Sequence, residues 1–438
     1  MPTKGLSKMT PDSLQLLAGF SAELIRQLEE ISGYGADPEG GVTRLLYTDA
    51  WQQAQQALAR RMQKLGLEVR FDAVGNLYGR LPGTAANLAG LKPVLTGSHI
   101  DTVANGGKYD GAYGVVASML ALGFLKAAYG MPKRTLEAVS FSEEEGSRFP
   151  LTFWGSGNVT GVRTLEQAAG ITDPDGVSLQ DAMRQAGFGG AGEVPDTSAR
   201  RSDIGAYIEL HIEQGGVLEH RRKQIGIVTA IVGQRRLGVR VLGTANHAGT
   251  TPMPMRKDAL AGAAEMIVLT ERLALAAGEP LVATAGKIEV SQGASNVVPG
   301  DVAFTLDIRH TDAPVLDAFY MNLQNELEAV ARRRELEIEI TEHLHVTPVQ
   351  MDSAISNEIE RICEDGGRPY LRMPSGAGHD AQLLGAVCPA AMIFVPSRAG
   401  ISHSPAEYTS AEELIAGFQT LVHLLYQYGY GGKADDDI

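Results

Sequence analysis

Residues able to do metal chemistry gather first in one stretch, Thr96-Gly-Ser-His99-Ile-Asp101-Thr-Val-Ala-Asn-Gly-Gly-Lys-Tyr-Asp110-Gly111. It follows Pro93-Val94-Leu95, which reads as a short buried strand. In extended chain, side chains two apart share a face, so Asp101 can reach the imidazole of His99 and fix its tautomer. A carboxylate placed behind a metal-bound histidine does the same. Asn105-Gly106-Gly107 forces a turn, and Asp110 returns just before another glycine. One carboxylate has two oxygens and can hold two ions at once. The stretch is a candidate opening of a two-metal site. Read alone, it is equally a Gly-rich strand-to-helix loop with an incidental His and Asp.

Three further segments bring matching residue types, each behind an apolar run. Thr135–Phe141 reads as a strand and leads into Glu143-Glu144-Glu145-Gly146. Three carboxylates at a strand end repel one another unless something positive offsets them. A charge run is usually a solvated face, but the apolar strand before it and Phe149-Pro150-Leu151 after it weaken that reading. Ala206–Glu213 is a strand ending in His211 and Glu213, which share one face. A lone strand histidine is more often structural; His211 gains weight because the opening stretch needs a second one. Ala391–Val395 is a buried strand, followed by Ser397-Arg-Ala-Gly-Ile-Ser-His403-Ser-Pro405 at its C-terminal end, where open α/β sheets place ligands. His99, Asp110, Glu144 or Glu145, His211 and His403 can therefore converge on one rim of one sheet. With no cysteine among them, imidazole and carboxylate suit zinc, manganese, cobalt or nickel. Two such ions, roughly 3.5–4 Å apart, lower the pKa of shared water towards about 7. A nearby carboxylate that is not a ligand can take that water's proton and hand it to a leaving nitrogen.

The elements that must position these groups follow from length and pattern. The chain has 438 residues, too many for one ordinary core, and 44% are hydrophobic, enough to build two. A net charge of −14 argues against a nucleic-acid partner. Two cysteines, Cys363 and Cys388, make no disulfide framework and fit a reducing cytoplasm. Met-Pro-Thr-Lys-Gly is followed by no apolar signal region, and no run of about 18 apolar residues is apparent, so neither a signal peptide nor a membrane span is expected. Pro11–Ile31 reads as an amphipathic helix with Thr10 as N-cap, and a second helix starts at Thr48 and ends at Gly66. Leu67–Asp72 and Leu77–Leu81 read as a strand pair, and Ala112–Ala128 as a core helix packed under a sheet. From about Val228 to His343 the order becomes strand, helix, strand, strand, helix, strand, which fits a split βαβ sandwich. In Val302–Arg309 the residues Val302, Phe304, Leu306 and Ile308 face a core, while Asp307 and Arg309 face away. An exposed edge strand in such a sheet can pair with a twin. The flanking segments then form one larger domain, closed by a helix at Ala411–Tyr426, and the tail Lys433–Ile438 is expected to fray.

Taken together the set resembles the dinuclear metallopeptidase clan that includes aminoacylases and bacterial carboxypeptidases. Within it the chain is similar to the amidase/hydantoinase/carbamoylase family. The motifs that carry the likeness span nearly the whole chain: GGVTRLLY at 40–47, GSHIDTV at 97–103, EEEGSRFP at 143–150, HIEQG at 211–215, GQRR at 233–236, NHAGTTPM at 246–253, SNVVPG at 295–300, DIRH at 307–310, GAGHDA at 376–381 and ISHSPAE at 401–407. The resemblance implies an α/β fold: a mixed-sheet α/β/α catalytic domain over 1–227 and 344–438, and an inserted α+β split-βαβ (ferredoxin-like) lid and dimerisation domain over 228–343. It implies two divalent ions per subunit, zinc or manganese, with cobalt or nickel also compatible. His99, Asp110 and His211 resemble the ligands of one ion, and Asp110, Glu145 and His403 those of the other. Glu144 matches the family's general base and Asp101 the carboxylate behind the first histidine. Arg309 matches the arginine that holds a substrate carboxylate, with Gln214, Asn296 and the Gly378 backbone as companions. His247 matches a histidine that stabilises the oxyanion, often from a partner subunit. Read alone, His247 is a loop histidine, Asn296 an Asx turn and Arg309 an ion pair with Asp307. The segments at 35–47, 71–81 and 148–158 look most like the allantoate-cleaving branch, which implies release of ureidoglycine, ammonia and carbon dioxide. N-carbamoyl-L-amino acids are the alternative substrates. The implied partners are a small anionic ureido substrate and a second copy of the chain, with no nucleic acid and no membrane.

Overall fold

The computed structural model describes residues 10–84, 90–189, 199–291 and 293–431; the tail expected to fray lies outside them. Four strands set the frame. Val94–His99, Leu136–Phe141, Ala206–Ile212 and Ala390–Val395 are buried along their whole length. Strands covered on both faces read as near-continuous apolar runs and belong to parallel sheets. These four lie in the order Leu136–Phe141, Val94–His99, Ala206–Ile212, Ala390–Val395, every neighbour parallel. The expected pair Glu68–Phe71 and Leu77–Leu81 extends one edge antiparallel, and Ile225–Ile231 pairs antiparallel with the other. Register aligns the ends: His99 lies opposite Phe141, and Val395 opposite Ile212. The loops that follow all four therefore leave from one edge. Polar groups inside the strands find partners on a neighbouring strand or on the covering helix: Ser98 Oγ donates to Glu209 Oε1 (2.7 Å), and Thr96 Oγ1 pairs with Ser118 Oγ of Ala112–Tyr129 (2.9 Å).

Helices cover this sheet. Pro11–Ser32 starts at Thr10, whose hydroxyl accepts the Ser13 N–H, and Asp49–Lys64 starts at Thr48 in the same way. Ala112–Tyr129 is the central one. It has 18 residues at a mean hydropathy of 1.4, the length and apolarity of a membrane span, but 78% of them are buried inside the protein, in keeping with the expected core helix. Its apolar run is interrupted by Gly114, Ser118, Gly123 and Lys126, so it does not show as an unbroken stretch. Ala411–Gly429 packs on it, with the Tyr113 hydroxyl donating to Leu414 O (2.7 Å).

The chain divides into two compact units. The first holds the described residues of 1–229, Met351–Met373 and those of 379–438; the second holds Ala230–Gln350 and Pro374–Gly378. In the second, four antiparallel strands run in the order Glu337–Val346, Gly233–Leu242, Asp301–His310, Val282–Val290. Helices Ala259–Ala277 and Ala313–Arg333 pack on one face over Val239, Val241, Val302, Phe304, Leu306 and Ile308. That is the strand and helix order of a split βαβ sandwich.

Gly114 is where the central helix meets the sheet. A Cβ there would stand 2.4 Å from Leu210 O and 2.9 Å from the Ser98 Cβ. Gly114→Ala is expected to lower stability by about 1–3 kcal/mol, the usual cost of overpacking a filled core. The measurement is the urea midpoint at unchanged slope; an unmoved midpoint would contradict this close approach.

Candidate metal centre

Asp110 sits where the loops from the four parallel strands meet. Its Oδ1 lies 3.7 Å from His99 Nε2 and 3.3 Å from His211 Nε2. Its Oδ2 lies 3.2 Å from His403 Nε2, and that nitrogen is 3.2 Å from Glu145 Oε1. The donor atoms of His99, Asp110 and His211 all fall within 4.8 Å of one another, as do those of Asp110, Glu145 and His403. Tetrahedral ligands at 2.0–2.1 Å from an ion stand about 3.3 Å apart, so both trios have the spacing of a coordination shell. The remaining histidine nitrogens fit too. His99 Nδ1 faces the Asp101 carbonyl oxygen (3.1 Å) and His211 Nδ1 faces the Ile212 carbonyl oxygen (2.8 Å). Each can donate its proton there, which leaves Nε2 bare and turned towards Asp110.

The charge balance points the same way. Burial pushes the Asp110 carboxyl up, but hydrogen bonds from His211 and His403 more than offset it and hold it well below the usual carboxylate range. The hydrogen bonds from His403 to Asp110 and Glu145 push that imidazole up to about 10. Burial pushes Glu144 well above its ordinary value and raises Glu145. This carboxylate cluster demands positive charge at its centre, and the Nε2 atoms of His99, His211 and His403 could hold divalent ions there.

The backbone is bent to make this possible. Gln214 and His403 adopt left-handed conformations, φ 56° and 53°. That costs a non-glycine residue on the order of 1–3 kcal/mol and persists where surrounding contacts impose it. Both side chains turn to Asp110, the Gln214 Nε2 donating to Oδ2 at 2.7 Å. Gly111 has φ 62°, and a Cβ there would come within 2.5 Å of the His99 ring. Only glycine lets the Asp110 loop close over that imidazole.

Several residues stand otherwise than the sequence suggests. Asp101 does stand behind His99, its Oδ1 3.3 Å from Nδ1 beside the carbonyl oxygen, but it has a second task the spacing does not show: its Oδ2 accepts the N–H groups of Glu144 and Glu145, both at 3.1 Å. Glu143 leaves the acidic run, because its Oε1 accepts from Gly146 N (2.7 Å) and Ser147 N (3.2 Å). Glu213 is not among the groups around Asp110. Its carboxylate turns back onto the N–H groups of Val217 and Leu218. Three residues escape sequence reading altogether. Glu209 and His379 are buried beside His211, and the three donors lie within 4.8 Å of one another. The Glu209-Leu-His211 spacing, two apart in a strand, was the signal for the first of them. Glu407 accepts the N–H groups of Tyr109 and Asp110. It lies four residues after His403, in the same loop.

His247, Asn296, Arg309 and Gly378 belong to the second unit. The pairing of Val297 with His247, and the bond from Ala248 N to Asn296 O (2.9 Å), bring the His247 and Asn296 loops side by side. His247 is exposed, and its Nδ1 accepts from Gly249 N (3.0 Å) and Thr250 N (3.2 Å). Arg309 pairs with Asp307 (2.8 Å) and donates to Gly376 O (2.6 Å), two residues before Gly378.

The family model described as Peptidase family M20/M25/M40 matches residues 95–427. The chain is 49% identical over 406 residues to the allantoate amidohydrolase of Bacillus subtilis, covering 92% of this chain and 96% of that one. It is 45% identical over 416 residues to the allantoate amidohydrolase of Escherichia coli, covering 95% and 100%. Its fold matches the crystal structure of an amidase of the hydantoinase/carbamoylase family from Burkholderia multivorans with a TM-score of 0.88 at 36% identity, covering 93% and 98%. With the match running from the strand that carries His99 to the closing helix, the chain belongs to Peptidase family M20/M25/M40.

Proposed function

We propose that the protein is a metal-dependent amidohydrolase that converts allantoate to ureidoglycine, ammonia and carbon dioxide. The observation that carries the chemistry is the split of the Asp110 oxygens between two donor groups, with Glu144 buried beside them. Likeness to two allantoate amidohydrolases over most of the chain supports the substrate. His99, Asp110 and His211 would hold one ion, and Asp110, Glu145 and His403 the other. The donor set suits zinc or manganese, and cobalt or nickel as well. Bound there, the ions supply water of lowered pKa and polarise the ureido carbonyl. Glu144 takes the proton of the attacking water and passes it to the leaving ammonia nitrogen as the first carbon–nitrogen bond breaks; the carbamate left on the other nitrogen then loses carbon dioxide as its carbon–nitrogen bond breaks, giving ureidoglycine. One water balances the reaction. Asp101 positions the base through the N–H groups of Glu144 and Glu145. Arg309 holds the substrate carboxylate in a bidentate pair, with Gln214, Asn296 and the Gly378 N–H as further contacts. His247 stabilises the oxyanion.

The same reading divides the chain into a catalytic part, 1–227 with 344–438, and an inserted lid and dimerisation part, 228–343. Val282–Val290 supports the dimer: among the described strands it pairs with Asp301–His310 alone, and Val282 and Ile288 are 54% and 46% exposed. An open edge of this kind recruits a second copy. Cys363 and Cys388 are buried and unbridged, which supports a cytoplasmic setting. Likeness to a hydantoinase/carbamoylase amidase supports a second reading, hydrolysis of N-carbamoyl-L-amino acids.

Ammonia release from a panel of ureido acids after metal loading separates the two. Allantoate turnover is expected; turnover of carbamoyl-alanine with none of allantoate would establish the second reading. Chelation should abolish release, and added zinc or manganese should restore it; activity that survives full metal removal would sink both. Glu144→Gln should keep its ions and lose at least 10²-fold in kcat, the range for a missing general base. An unchanged kcat removes its role. Arg309→Ala should raise KM tenfold or more with a smaller change in kcat, and a normal KM contradicts the carboxylate contact.

A further inference from the structure

Glu407 ties together two loops that leave strands not adjacent in the sheet. Its Oε1 accepts the N–H of Tyr109 (2.8 Å) and of Asp110 (3.2 Å). Its Oε2 accepts the Ser402 hydroxyl (2.8 Å), and that hydroxyl lies 3.2 Å from Asp110 Oδ2. The carboxylate is buried, and it fits because residue 107 is glycine: a Cβ there would stand 2.0 Å from the Glu407 Cδ and Oε1. The loop carrying Asp110 follows Val94–His99, the loop carrying His403 follows Ala390–Val395, and Ala206–Ile212 runs between those strands. One side chain therefore grips the backbone of Asp110 and the neighbour of His403 at once.

We propose that Glu407 is a positioning residue that fixes Asp110 in its bridging orientation and so secures the Asp110, Glu145 and His403 ion in particular. This rests on the two-ion reading above. The other trio has supports of its own, the Asp101 and Ile212 carbonyls behind His99 and His211. The Asp110–Glu145–His403 trio includes the half-exposed His403, and the clamp holds Ser402 beside it. Losing a group that orients ligands typically weakens metal affinity by 10–100-fold.

The test uses the full chain stripped of metal and titrated with Co²⁺ alone, followed by calorimetry and visible absorption, with urea midpoints and with kcat and KM on allantoate. E407A should bind one Co²⁺ as the wild type does and the second 10–100-fold more weakly. Its kcat should fall by at least tenfold at limiting metal, with KM within threefold. E407Q keeps an oxygen for both N–H groups and an amide that can meet Ser402, and should recover most of the second-ion affinity. S402A should weaken the second ion by less than E407A does. E407A that unfolds cooperatively yet binds both ions like the wild type overturns the clamp. If E407A does not fold, S402A decides, and unaltered second-ion affinity in S402A overturns it. A wild type that binds two ions but releases ammonia from no ureido acid removes the substrate reading and leaves the clamp to the titrations. A wild type active on allantoate, with E407A matching its ion affinities, removes the clamp and leaves the function.

Discussion

A carboxylate whose two oxygens face different sets of imidazoles cannot be satisfied by one counter-charge. Asp110 is in that position, buried, with His99 and His211 on one oxygen and His403 on the other. Glu144 and Glu145 add negative charge a short distance away, and burial strains their ionisation further. Nothing in a folded chain tolerates such a concentration of acid without positive charge in the middle of it. The rest of the first unit can be read as the frame that makes this concentration geometrically unavoidable. Four parallel strands end in a row, each end hands a loop to the same edge, and each loop delivers one or two donors.

What holds the donors is largely backbone. The Asp101 and Ile212 carbonyls orient two imidazoles, and the Asp101 carboxylate ties down the Glu144–Glu145 turn. Gly111 yields its side-chain volume to the His99 ring, while Gln214 and His403 are held in a disfavoured conformation. Such an arrangement is costly to form and stiff once formed. It leaves the donors little freedom to collapse onto one another when the charges between them change.

Much of this was visible in the residues themselves, for a physical reason. Each donor follows an apolar run long enough to be a buried strand, and strands of that kind align their ends. His99, Asp110, one of Glu144 and Glu145, His211 and His403 could thus be gathered before any coordinates, as could the alternating core of Val302–Ile308; the choice of Glu145 came from the family resemblance. The partners of these groups were harder to see. Glu407 acts through N–H groups almost three hundred residues away along the chain, and Glu209 meets Ser98 across two strands. Contacts of that range leave no local periodicity. Glu143 and Glu213 misled because composition marks an acidic residue without marking direction. Both carboxylates turned out to serve nearby backbone N–H groups. Asp101 lies between the cases: its spacing to His99 was informative, but the closer partner of the ring is a carbonyl, which every residue has.

The helix Ala112–Tyr129 also bears on how the protein is made. Its most apolar surface leaves the ribosome early, yet Ala206–Ile212 and Ala411–Gly429, which pack on it, come much later, the second of them after the whole of Ala230–Gln350. Until those segments are made the nascent chain carries a segment with the length and hydropathy of a membrane span and only part of its eventual cover. The discontinuous unit cannot close until Ala411–Gly429 has been made.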